Sequence, residues 1–227
     1  RIAVIVTARP SYAKLKTVVA ALLARRVDVQ MICCASALLE RYGRVVDVVR
    51  HDFPQLAITE CWSTYEGAHL ITSAKETGAL LTELAGVLSR LRPVVAVVCA
   101  DRHEVLAAAM AVKYLHLPLL HIQGGERSGS LDDDCRDAIT QLADFHCSAT
   151  ERAKYRIYAL TGDWARIVNT GCPSIDVAKQ AMTEPPVTFK ELGGSGPRLD
   201  MAYPFLIVLQ HSVTDEAELA SEQMQAT

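Results

Sequence analysis

The sequence predicts an α/β protein built on an open, doubly wound, mostly parallel sheet, and three observations carry that prediction. Short continuous apolar runs recur, such as IAVIVT at 2–7 and VVAVVC at 94–99, as strands buried on both faces of a sheet require. Segments with apolar residues at three- and four-residue steps lie between them and supply helices to cover such a sheet. Strand and helix alternate from Ile2 to Asn169, the order that right-handed crossovers convert into parallel pairing.

After the first strand, Tyr12 to Arg25 reads as a helix, with Leu15, Val18, Val19, Leu22 and Leu23 on one stripe and Arg25-Arg26 at the end that favours cations. Val27–Cys34 is a second strand, Ala37–Tyr42 a short helix and Gly67–Leu91 a long one, stopped by Pro93. Val94–Cys99 is a strand, Val105–Tyr114 a helix, Leu117–Ile122 a strand and Asp134–Ala143 a helix. Phe145–Ser148, Glu151–Leu160 and Ile167–Asn169 continue the alternation as strand, helix and strand. Pro185, Pro186, Gly193, Gly194, Gly196 and Pro197 then mark a linker. The expected organisation is a first domain over 1–182, a linker over 183–200 and the start of a second α/β domain over 201–227. That second part opens with a strand at Phe205–Leu209 and continues as a polar helical tail. A chain that opens on Arg1 and stops so soon after a new strand is expected to be incomplete.

Lys+Arg minus Asp+Glu is 23 − 26 = −3, so no net positive field favours nucleic acid, and a phosphate ligand needs local cations. Seven cysteines form an odd set without a CxxC pair, which indicates neither a disulfide framework nor a zinc knuckle. No apolar run reaches the length of a membrane span and no leader pattern precedes the first strand. The expected location is the cytoplasm, without membrane or nucleic-acid partners.

In a doubly wound sheet, ligands bind where strands end at their carboxyl edge. Five such turns are polar: Thr7-Ala8-Arg9-Pro10-Ser11, Asp101-Arg102-His103-Glu104, Gln123-Gly124-Gly125-Glu126-Arg127-Ser128-Gly129, Thr170-Gly171-Cys172-Pro173-Ser174, and Gln210-His211. Arg9 before a helix can share an anion with the helix amides, or stand as a surface arginine in a turn. Asp101 can accept a proton or cap the following helix. His103 and His121 lack HxH or HxxxH spacing to a second histidine, so no metal is expected. Gly124, Gly125 and Gly129 permit close backbone approach around Glu126 and Ser128. Asp132 and Arg136 stand four apart and can pair on one helix face.

In this order the turns resemble the UDP-N-acetylglucosamine 2-epimerase family, and especially its hydrolysing branch, which feeds sialic-acid-type sugar synthesis. The resemblance runs through IVTARPSY at 5–12, ADRHE at 100–104, HIQGGERSGSLDDDCRDAITQLADFH at 121–146, TGCPSID at 170–176 and LQHSVT at 209–214. It implies a Rossmann-like first domain in a GT-B-type two-domain architecture, with the UDP-sugar substrate between the domains, no cofactor, and a homodimer or higher homo-oligomer. It also implies a reaction. A base removes the C2 proton, UDP leaves from C1 to give a glycal, and water adds with inverted C2 stereochemistry, yielding N-acetylmannosamine and UDP. By position, Asp101, Gln123, Asp132 and His211 would be catalytic. Arg9, Arg102, Glu126, Ser128, Arg136 and Ser174 would bind substrate.

One position departs from the family pattern: Gln123 stands where a glutamate belongs, and an amide neither takes nor gives a proton as a carboxyl group does. Two other readings therefore stand beside the epimerase, a GT-B glycosyltransferase acting on a UDP-sugar and a catalytically impaired nucleotide-sugar-binding protein.

Overall fold

The computed structural model describes residues 1–63, 65, 70–185, 196, 203–210 and 218–226. They fall into two compact units, Arg1–Val177 and Ala178–Thr227.

The first unit holds seven parallel strands: β1 (Ile2–Val6), β2 (Val29–Cys34), β3 (Ala57–Cys61), β4 (Val95–Cys99), β5 (Leu119–Ile122), β6 (Phe145–Ser148) and β7 (Ile167–Asn169). Their order is β3-β2-β1-β4-β5-β6-β7, the doubly wound arrangement that the alternating pattern predicts. The helices are α1 (Arg9–Ala24), α2 (Val45–Asp52), α3 (Leu70–Leu91), α4 (His103–Tyr114), α5 (Asp132–Leu142), α6 (Glu151–Thr161) and α7 (Pro173–Ala181).

Alternate residues of one strand feed different cores. Ala3 and Ile5 of β1, Ile32 of β2 and Val98 of β4 pack against Leu80, Leu84 and Leu88 of α3 and the alanines of α4. Val4 and Val6, Met31 and Val97 pack on the opposite face with Leu15 and Val19 of α1 and Val45, Val46 and Val49 of α2. Burial on both faces explains why β1 and β4 are apolar at every position, since each CH2 removed from water contributes about 0.8 kcal/mol.

Four elements depart from the pattern reading. The Ala37–Tyr42 helix resolves into two 3-10 turns, Ala35–Leu38 and Glu40–Tyr42, with Gly43 in the left-handed region after them. α2 and β3 follow without having been expected. α2 has only eight residues, and β3 is the sheet edge, with Ala57 exposed and Ile58 to Glu60 half-buried, so neither displays a long periodic signature. α7 buries Pro173 alone, which hides it for the same reason.

In the second unit, α8 (Ala220–Ala226) agrees with the polar helical tail. The strand expected at Phe205–Leu209 is corrected: residues 204–210 carry no ladder, and Leu206 is 94% exposed. An apolar run becomes a strand only as part of a ladder, and apolar content alone does not build one. Pro186, Gly193, Gly194 and Pro197 of the expected linker lie outside the described residues, as does the start of the long helix at Gly67.

Candidate functional site

The strand order reverses between β1 and β4, so the connections on either side leave the sheet in opposite directions and open a crevice at the carboxyl edge. Three non-glycine residues just past that edge adopt left-handed backbone: Ala35 (φ +52°), Ala100 (φ +73°) and Gln123 (φ +63°). Each such residue costs about 1–2 kcal/mol, so the surrounding packing must hold these turns in shape.

His121 of β5 does part of that holding. Its Nε2 lies 2.9 Å from the Ala100 carbonyl and its Nδ1 3.2 Å from Thr140 Oγ on α5. The ring is fully buried, and burial pushes its pKa down to about 4, which keeps it neutral near pH 7. A carbonyl can only accept, so Nε2 carries the proton and the Thr140 hydroxyl donates to Nδ1. A Cβ at Gly124 would lie 2.9 Å from both His121 Nδ1 and Thr140 Oγ, so glycine there lets the chain pass over this pair.

Asp101 follows Ala100 directly. Its carboxylate forms an ion pair with Arg136 Nη2, and Arg136 Nη1 donates to Asp133 Oδ1 at 2.6 Å and to the Glu126 carbonyl at 2.7 Å. One buried guanidinium thus joins the turn after β4, the turn after β5 and the first turn of α5. Asp133 pairs with Arg136 at i,i+3 on the same helix. Asp133 also accepts from the Ser128 and Gly129 amides at 2.8 Å each and from Ser128 Oγ at 2.9 Å. Burial alone would raise the Asp133 carboxyl, but these donors and the charge of Arg127 hold it below the usual range. Ser128 is therefore spent in part on shaping the glycine turn.

Asp132 begins α5 and is half-buried. Its charge acts on Arg102: burial opposes the guanidinium, while Glu104, Asp132 and Glu76 outweigh burial and hold it above its usual range. Arg102 itself is half-exposed and paired with the buried Glu104 at 3.0 Å. The structure thus brings Asp101, Arg102, Asp132 and Arg136 near one another.

Gln123 is 8% exposed, and its carboxamide donates to Cys172 Sγ at 2.9 Å, joining the turn after β5 to the turn after β7. Glu126 stands apart, accepting from Thr150 Oγ at 3.4 Å near the start of α6. Ser174 is exposed in the first turn of α7. Arg9 is the exposed first residue of α1 and lines a cavity of about 280 Å3 with Tyr12, Lys16 and Asp52. His211 lies outside the described residues. Asp133 and Thr140 are supporting residues that the sequence reading passed over, while His121 and Cys172 appear in it without these contacts. Only the run of acids at the start of α5 signalled either of the first two, because helix-dipole stabilisation accounts for such a run without assigning each member a task.

The family profile described as UDP-N-acetylglucosamine 2-epimerase matches residues 20–227. The chain is 29% identical over 202 residues to the UDP-N,N'-diacetylbacillosamine 2-epimerase (hydrolyzing) of Legionella pneumophila, covering 88% of this chain and 52% of that protein. It is 27% identical over 228 residues to the UDP-N-acetylglucosamine 2-epimerase of Neisseria meningitidis, covering 96% and 56%. The crystal structure of the Neisseria meningitidis UDP-GlcNAc 2-epimerase bound to UDP-GlcNAc superposes with a TM-score of 0.68 at 20% identity, over 80% of this chain and 49% of that one, which shows a shared fold. The chain spans about half the length of the curated relatives it matches.

Proposed function

The chain belongs to the UDP-N-acetylglucosamine 2-epimerase family, and from that premise we propose that it forms the catalytic first domain of a hydrolysing UDP-sugar 2-epimerase. The observation that carries this reading is the Asp101–Arg136 ion pair, which ties the turn after β4 to the start of α5, where Asp132 stands. Elimination of UDP from a 2-acetamido sugar needs a base held close to C2 and positive charge or a proton donor at the departing diphosphate. We assign hydrogen transfer at C2 to Asp101 and Asp132, with Arg136 orienting Asp101. Arg9, at the N-terminus of α1, and Arg102 face the diphosphate, and His211 serves the same leaving group. Glu126, Ser128 and Ser174 border the sugar. Water then adds to the glycal and leaves a free 2-epimerised sugar.

Incubation with UDP-N-acetylglucosamine, or with UDP-N,N'-diacetylbacillosamine, in deuterium oxide tests this reading. The expected result is UDP release together with one deuterium at C2 of the free sugar. UDP release without deuterium would point to simple transfer or hydrolysis at C1 instead. Asp101→Asn and Asp132→Asn are each expected to lower turnover by about 10²-fold or more, the usual worth of a proton-transfer group.

Gln123 favours a second reading, a nucleotide-sugar-binding protein with little turnover, because its buried carboxamide cannot carry a proton to or from substrate. Calorimetric binding of UDP-N-acetylglucosamine without UDP release, in both the native protein and Gln123→Glu, supports this alternative.

A further inference from the structure

The first turn of α4 carries His103 and Glu104, and α3 brings Glu76 against them. Glu104 is 1% exposed and Glu76 8%, so both carboxylates need nearby positive charge. Arg102 takes both oxygens of Glu104, at 3.0 Å each. Glu76 Oε2 instead faces His103 Nε2 at 3.3 Å, while His103 Nδ1 lies 3.3 Å from Glu104 Oε2. The ring therefore turns both nitrogens toward carboxylate oxygens, which places an imidazole nitrogen and two carboxylates in one cluster. A cation held among them pairs with both buried acids.

One donor atom from each of Glu76, His103 and Glu104 lies within 4.8 Å of the others. Donors at about 2.1 Å from one tetrahedral metal stand about 3.4 Å apart, so the pairs of these atoms close the site by approaching one another by about 1.4 Å at most. One imidazole nitrogen with two carboxylate oxygens suits Mn2+ or Zn2+ better than Mg2+ or Ca2+, which take all-oxygen shells. We propose that Glu76, His103 and Glu104 bind one divalent transition-metal cation that clamps α3 to α4 at the turn bearing Asp101. This site stands independently of the sugar chemistry, because none of its three ligands is among the residues assigned to substrate.

Manganese is the probe, since the seven cysteines compete for zinc. Titration of tag-free protein with MnCl2, followed by the six-line electron paramagnetic resonance signal of free Mn2+, is expected to show one ion bound per chain. Glu76→Gln and His103→Gln are expected to weaken that binding at least tenfold, with circular dichroism confirming that each variant is folded. Pulsed spectra of the native complex are expected to show coupling to a single imidazole nitrogen, a readout that needs no variant. An undiminished free-ion signal, binding unchanged in folded Glu76→Gln, or a native complex without nitrogen coupling would each overturn the proposal.

Discussion

The Gln123 carboxamide donates to Cys172 Sγ across 2.9 Å, linking two strand-end turns that are 49 residues apart in sequence. The amide holds this contact without an acidic proton to exchange. Replacing Gln123 by glutamate puts an ionisable oxygen at the same place. We expect Gln123→Glu to raise UDP release from UDP-N-acetylglucosamine by about 10²-fold or more, following the usual worth of general acid–base catalysis. A rate within twofold of the native one would show that position 123 does not limit the reaction.

Arg136 is the next test, because it is the cation shared by Asp101 and Asp133 and its side chain is only 6% exposed. Removing it leaves two carboxylates without their counter-charge, at a cost of about 3–5 kcal/mol. Arg136→Ala should therefore lower the urea midpoint sharply, and Arg136→Lys should recover only part of the loss, since an ammonium lacks the fork that reaches both acids. Equal midpoints for Arg136→Ala and the native chain would contradict the network.

Two glycines of one turn separate backbone strain from steric closure. Gly129 (φ +84°) has open space where a Cβ would stand, whereas a Cβ at Gly125 (φ +75°) would run into the Ala153 carbonyl and the Ile157 side chain. Gly129→Ala is expected to cost about 1 kcal/mol, the left-handed penalty alone. Gly125→Ala should cost clearly more, read as the difference between their denaturation midpoints.

Acid stability follows from the buried histidines. Burial pushes His121 and His146 each down to about 4, and His146 Nδ1 has no hydrogen-bond partner. An unfolded histidine titrates near 6.5, so between the two values the unfolded chain binds protons that the folded chain refuses. Stability is therefore full above about pH 6.5 and falls toward pH 4, by up to about 1.4 kcal/mol per pH unit per histidine. Urea midpoints at pH 7.5 and pH 5 should differ accordingly, and His146→Gln should flatten the slope. Identical midpoints at both pH values would refute this assignment.

Strands were legible where the chain runs apolar on both faces, as in β1 and β4, and helices where one stripe recurs over several turns, as in α1 and α3. β3 and α2 were not, since an edge strand and an eight-residue helix bury too little to leave a pattern. The Phe205–Leu209 run shows the converse, because apolar content by itself does not make a strand.

The places of Asp101 and Gln123 were legible too, since each falls in a turn directly after a strand. Their partners were not. That Arg136 meets Asp101 and Asp133, that Gln123 touches Cys172, and that His121 props Ala100 depend on strand register and on how α5 lies over the sheet. Local sequence determines which backbone an element adopts and where a turn falls. Packing decides which side chains meet across tens of residues, since that depends on the simultaneous fit of every neighbouring element.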